Sequence, residues 1–199
     1  MAGSLARGDA GRLMSPVQAL LLDRDGVIIE NRSDHVRSWA DVAPLPGSIE
    51  ALARIAPSSH KVVIVSNQSA IGRGLLTPSE AHEINRRLVS QIEAAGGRVD
   101  RIFLCPHHPD DGCDCRKPRP GLILQAAAEL GLDLERSIMV GDTLGDLQAA
   151  HLAGVGTLAL VRTGLGRDNE PDLPGMPFGP AAVFDDLAAA LAGLFPLPI

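Results

Sequence analysis

Five short apolar runs, each stopping abruptly at polar residues, restrict this chain to very few architectures. Val17 to Leu22 ends at Asp23, Lys61 to Val65 at Ser66-Asn67, Ile102 to Leu104 at Cys105, Ile138 to Val140 at Gly141-Asp142, and Thr157 to Val161 at Arg162-Thr163. Runs this short and this continuously apolar describe strands covered on both faces. Helical patterns fill the intervals. Thr77-Pro78-Ser79-Glu80 is a capping box with proline at the first helical position, and Ile84, Leu88 and Ile92 follow on one face until Gly96-Gly97 stops the helix. Further helices are predicted from Ser48 to about Ile55, from Gly121 to Leu130, from Thr143 to Ala153, and from a cap at Asp185 through Leu194. Strand alternating with helix gives an α/β fold, a doubly wound, Rossmann-like parallel sheet that binds ligands at the carboxyl ends of its strands. The polar clusters named above fall on that edge. Residues from Arg162 to Pro180, rich in glycine and proline, are expected to form a long surface loop.

The 199 residues suffice for a single domain with a full core, placed at 17–199, after a loose, flexible tail at 1–16. That tail lacks the apolar stretch of a secretory signal, and no apolar run is long enough to cross a bilayer, so no membrane partner is expected. A net charge of −6, with four Phe, one Trp and no Tyr to stack on bases, argues against a nucleic-acid surface. A small anion in a local pocket stays compatible. The three cysteines all lie between positions 105 and 115, an odd and tightly spaced set that suits metal ligation in a reducing cytoplasm better than a disulfide framework.

Asp23-Arg24-Asp25-Gly26 sets two carboxylates on the same side of an extended chain, where they share one site. Either a divalent cation holds both ionised, or the two divide into nucleophile and acid; a solvated turn is the plain alternative. Asp142 offers another oxygen ligand for Mg²⁺ at a second strand end, while Asp146 equally suits the helix N-terminus it sits in. Ser66-Asn67-Gln68-Ser69 supplies a hydroxyl and amides suited to a phosphoryl oxygen, or forms an ordinary turn. Lys117 adds a point charge and Arg116 a planar fork for a second phosphate or a sugar hydroxyl, unless both are simply solvated cations. Cys105 with His107, and Cys113 with Cys115, grip a tetrahedral zinc from two sides and leave no open position, which makes the site structural; His108 is the competing imidazole.

These clusters, in this order, resemble the haloacid dehalogenase (HAD) superfamily of phosphatases. Asp23 and Asp25 match its first motif, Ser66 its second, Lys117 its third, and Asp142 with Asp146 its fourth, over residues 17 to 194. The resemblance implies that Asp23 attacks phosphorus to form an aspartyl phosphate and that Asp25 acts as general acid and base. It implies further that Ser66 and Lys117 stabilise the phosphoryl group, and that Mg²⁺ is held by Asp23, Asp25 and Asp142 with Asp146 behind them. Both inter-motif gaps are already filled by sheet, helix and zinc loop, so the fold is expected to be capless with an open site.

Within that superfamily, Cys105-Pro-His107 followed by Cys113-Asp-Cys115-Arg116-Lys117-Pro118 resembles the D-glycero-D-manno-heptose 1,7-bisphosphate 7-phosphatases, with histidinol-phosphate phosphatases as near relatives. Leu22 to Ile28, Asn67 to Gly74, Arg116 to Gly121 and Gly141 to Leu147 favour the heptose branch. By that resemblance Arg116 recognises the phosphate that is not cleaved. Asn31, Arg32, Ser33, Asp34, Asn67, Gln68, Ser69 and Thr143 join it and Ser66 as substrate contacts. Three positions depart from the usual pattern: Ser66 replaces Thr, Ala70 replaces Gly, and Thr143 stands where some relatives carry Lys. The expectation is a cytoplasmic, monomeric enzyme that takes a small phosphorylated sugar, on the route to ADP-heptose for the lipopolysaccharide core. Histidinol-phosphate hydrolysis is the alternative reaction, and a zinc-stabilised, non-catalytic binding module the alternative class.

Overall fold

The computed structural model describes residues 17–195. The tail expected at 1–16 lies outside the described residues. Six parallel strands make one sheet: β1 (Ala19–Leu22), β2 (Lys61–Asn67), β3 (Arg101–Cys105), β4 (Ile138–Gly141), β5 (Thr157–Val161) and β6 (Ala182–Phe184). Their spatial order is β3-β2-β1-β4-β5-β6. This is the doubly wound order, in which the direction of winding reverses between β1 and β4 and opens a crevice there.

Helices cover both faces. On one side α1 (Ser48–Ile55), α3 (Pro78–Ala94) and α7 (Leu187–Leu194) pack on Leu20, Leu22, Val62, Ile64, Val140 and Val161. On the other side α4 (Gly121–Leu130) and α5 (Leu144–Ala153) pack on Leu21, Val63, Val65, Met139 and Leu160. The alternation of neighbouring residues between these layers is the period of a strand, and burial on both faces removes the polar half of the pattern. Between β1 and β2 the chain makes a 3-10 turn at Trp39–Asp41 and α1. Between β2 and β3 it makes the single turn α2 (Ser69–Gly72) and then α3.

Three expectations need correction. Val17 forms only an isolated bridge to Leu132, so β1 begins at Ala19. The stretch from Arg162 to Pro180 is not a plain loop: it holds α6 (Gly166–Asn169) and a 3-10 segment, Glu170–Gly175, and leads into the sixth strand. The cap of α7 is Asp186, whose side chain accepts from Ala189 N at 2.8 Å, while Asp185 pairs with Arg162 at 2.8 Å. Among the described residues no helix is long and apolar enough to cross a membrane.

Ile64 lies in β2 and has no exposed surface. Ile64→Ala is expected to lower unfolding free energy by about 2–5 kcal/mol, checked by urea denaturation.

Candidate active site and metal centres

The crevice at the winding reversal is a cavity of about 320 Å³. From the end of β1 come Asp23 and Asp25, from β4 and α5 come Asp142, Thr143 and Asp146, and Arg116 and Lys117 arrive from the segment before α4. Asn67, Gln68 and Ser69, at the end of β2, line it too, as do Asn31 and Arg32. Ser33, Asp34 and Ser66 do not. Ser66 is buried behind the wall with its hydroxyl accepting from Gln68 Nε2 at 3.0 Å, and the Asp34 carboxylate is taken by Arg32 and Arg37. A larger groove of about 700 Å³ between α3 and β3 is lined by Ile71, Val89, Ile102 and Leu104 and contains none of these carboxylates.

Lys117 organises the cavity floor. Its ammonium lies 2.6 Å from Asp146 Oδ1 and 3.1 Å from Asp23 Oδ1, and donates to Val65 O at 2.7 Å. Burial alone would depress this amine, but Asp146 and Asp23 outweigh it and hold the group protonated. Asp146 is fully engaged: its other oxygen accepts from Thr143 N and Oγ1, while Thr143 caps α5 in return. Helix capping and the ion pair with Lys117 therefore share one carboxylate. Asn67 touches the cavity, yet its amide accepts from Lys117 N at 3.1 Å and donates to Lys117 O at 3.0 Å, fixing the backbone that carries the ammonium.

Asp23, Asp142 and Asp146 each offer an oxygen, and these lie within 4.8 Å of one another. One ammonium cannot neutralise three carboxylates. Burial pushes Asp23 up to about 6 despite Lys117, and burial together with Asp146 and Asp23 pushes Asp142 up to about 8. Asp142 Oδ2 accepts from Leu165 N at 2.9 Å. Gly26 and Gly164, at φ of +83° and +56°, press against the same carboxylate so closely that a Cβ on either would overlap it. Asp23 Oδ2 and Asp142 Oδ1 have no protein donor among the described residues. Two such oxygens beside excess negative charge fit a hard divalent cation. Asp25 stands apart from this cluster, its carboxylate held by Arg24 and Gln68.

The second metal-type cluster closes at the end of β3. Cys105, Cys113 and Cys115 sulfurs and His107 Nδ1 all lie within 4.8 Å of one another. Successive contacts are 3.6 Å for Cys105–His107, 3.6 Å for Cys105–Cys113, 3.6 Å for Cys113–Cys115 and 3.2 Å for His107–Cys115. Tetrahedral ligation through sulfur puts neighbouring sulfurs about 3.7 Å apart, so the set fits a closed four-coordinate site. Burial and the neighbouring thiols push Cys115 up to about 12, a crowding that a cation relieves. His108 turns instead to the backbone, accepting from Asp110 N.

Comparison with known proteins gives the chain a family. The HAD-hydrolase-like family model matches residues 114–190. A D-glycero-beta-D-manno-heptose-1,7-bisphosphate 7-phosphatase of Pseudomonas aeruginosa is 41% identical over 176 residues, covering 88% of this chain and 96% of that protein. Its namesake from Bordetella bronchiseptica is 42% identical over 173 residues, covering 87% and 95%. This chain belongs to that phosphatase family. The crystal structure of the B. bronchiseptica D,D-heptose 1,7-bisphosphate phosphatase, complexed with magnesium and phosphate, superposes with a TM-score of 0.84 at 41% identity, covering 89% of this chain and 98% of that one. Set within the family, four neighbours of the motifs stand out that sequence reasoning did not single out. Arg24 is buried beneath the first motif, and His35, Val36 and Leu165 line the cavity. Leu165 follows the polar end of β5, so the strand-end rule pointed near it; His35, a non-glycine residue at φ 65°, had no such signal.

The raised folded-state values of Asp23 and Asp142 carry a sign. Between the unfolded carboxyl value near 3.8 and the folded values near 6 and 8, the folded chain binds more protons. Stability of magnesium-free protein is therefore expected to fall as pH rises from about 5 to 8, and added magnesium to restore it most at the upper end. Thermal unfolding midpoints across that range check this; a midpoint that rises with pH and ignores magnesium would contradict it.

Proposed function

We propose that this chain hydrolyses the C7 phosphate of D-glycero-β-D-manno-heptose 1,7-bisphosphate through an aspartyl phosphate on Asp23. The observation that carries the reading is the convergence of Asp23, Asp25, Lys117 and Asp142 on one crevice, in a chain about two-fifths identical to enzymes named for this reaction. Asp23 attacks phosphorus through its carboxylate. As the bond from Asp23 to phosphorus forms, the bond from phosphorus to the sugar oxygen breaks, and Asp25 gives that oxygen its proton. Asp25 then takes a proton from the water that attacks the same phosphorus, releasing inorganic phosphate and restoring Asp23. Lys117 holds negative charge on the transferring group throughout. Magnesium, held by Asp23 and Asp142, supplies charge neutralisation when bound.

Arg116 lines the same cavity and its Nη1 has no protein partner, which suits it to the phosphate that is not cleaved. Between β1 and β2 the chain holds only a 3-10 turn and α1, and between β2 and β3 only the single turn α2 and α3, which packs on the sheet; we read the enzyme as capless, with selectivity coming from the loop at 31–36. Three free thiols and one imidazole at the end of β3 suit zinc in a reducing compartment, which accords with a cytoplasmic enzyme and a purely structural role for that metal.

Steady-state hydrolysis of both anomers of the heptose bisphosphate and of histidinol phosphate tests the substrate. The β anomer is expected to have the highest kcat/KM, and a preference for histidinol phosphate would sink the assignment. Asp23→Asn is expected to abolish turnover, a loss on the order of a thousand-fold or more, with folding and zinc content unchanged. Metal analysis of protein purified without chelator is expected to give about one zinc per chain, lost in Cys113→Ser. Well-folded protein without zinc would overturn that role.

A further inference from the structure

Arg24 lies between the two aspartates of the first motif, yet it does not line the cavity. Leu20 and Leu22 face the layer of α1, α3 and α7, and Arg24 continues that side of the strand. Its guanidinium is 1% exposed, the largest fully buried side chain among the described residues. Such a cation persists only where its nitrogens find acceptors, and here each of the three does. Nη1 donates to Asn85 Oδ1 of α3 at 2.8 Å and Nη2 to Gln68 Oε1 at 2.9 Å. Nε donates to Asp25 Oδ2 at 3.1 Å and Nη2 to Asp25 Oδ1 at 3.2 Å. Gln68 Nε2 adds a bond to Asp25 Oδ2 at 2.8 Å.

The two oxygens of Asp25 are thereby made unequal. Oδ2 accepts from Nε and from the Gln68 amide and also lies 3.0 Å from Nη2, whereas Oδ1 has only the 3.2 Å bond from Nη2. A carboxylate on a loop just beyond a strand would otherwise rotate freely; a planar fork sets its plane, and Asn85, on a separate and well-packed helix, sets the plane of the fork. We propose that Arg24, braced by Asn85, is the positioning residue for Asp25, presenting Oδ1 to the leaving oxygen and turning Oδ2 inward. Arg24 touches neither substrate nor phosphoryl group. The inference rests on the acid/base role assigned to Asp25 under the proposed function.

Leaving groups separate this from a purely structural role. A sugar oxygen must be protonated as it departs, whereas p-nitrophenolate leaves without help. The rate of phosphoryl transfer to Asp23 is measured by rapid quench for heptose bisphosphate and for p-nitrophenyl phosphate, in Arg24→Lys and in Asn85→Leu, which keeps the volume but removes the acceptor. Asp25→Asn is the reference. The expected result is a loss of about ten-fold or more with the sugar, less than about three-fold with the aryl phosphate, and KM within about three-fold. Equal loss on both substrates, or wild-type rates in folded variants, would overturn the proposal. If Arg24→Lys fails to fold, Asn85→Leu decides alone. Should Asp25→Asn itself show no leaving-group dependence, the acid/base reading fails, which is a separate result.

Discussion

The buried ammonium of Lys117 is the contact on which the rest of the site depends. It binds a side chain at the end of β1, a side chain at the start of α5 and a main-chain carbonyl of β2, and so fastens three parts of the crevice to one atom. Leaving buried carboxylates without their partner costs about 3–5 kcal/mol in comparable pairs. Yet one positive charge against Asp23, Asp142 and Asp146 leaves the floor under-neutralised. The same feature thus holds the scaffold together and creates the demand for a divalent cation. The backbone of Lys117 is tied just as firmly through both ends of the Asn67 amide.

Much of this was legible in the chain, because a parallel sheet converts a one-dimensional signal into a place. Where an apolar run stops at Asp23, Asn67 or Asp142, that residue must lie on the ligand edge. Elements without a period were not legible. The three-residue β6 is partly exposed and emerges from a glycine- and proline-rich stretch, and the four-residue α2 is too short to show a helical face. The cap of α7 was displaced by one residue because Asp185 and Asp186 are equally good caps in sequence, and only the ion pair with Arg162 distinguishes them. Within the site, residue types were readable but their partners were not. Nothing local tells that Asn67 holds a backbone 50 residues away, that Ser66 lies behind the wall, or that Asp146 serves helix and lysine together.

The cysteine loop shows the same division between chemistry and support. Gly72 of α2 approaches the backbone of His107 and His108 so closely that a Cβ would collide with it, and Gly121 at the start of α4 does so against Asp114. Arg119 donates to the carbonyls of Gly112 and Cys113. The loop is gripped on both flanks, between the segment following β2 and the helix following Lys117. A metal at its centre would stiffen both approaches to the phosphoryl site without touching it.

One wall of the cavity is built on a different plan. The loop carrying Asn31, Arg32 and His35 satisfies its charged side chains internally: Arg32 and Arg37 pair with Asp34, and Asp41 accepts from the backbone of Arg37 and Ser38. Among the described residues it sends no side-chain hydrogen bond to the carboxylate floor. Substitutions at its exposed polar positions therefore break no side-chain hydrogen bond to the carboxylate floor, and this wall can change while the floor keeps its own contacts.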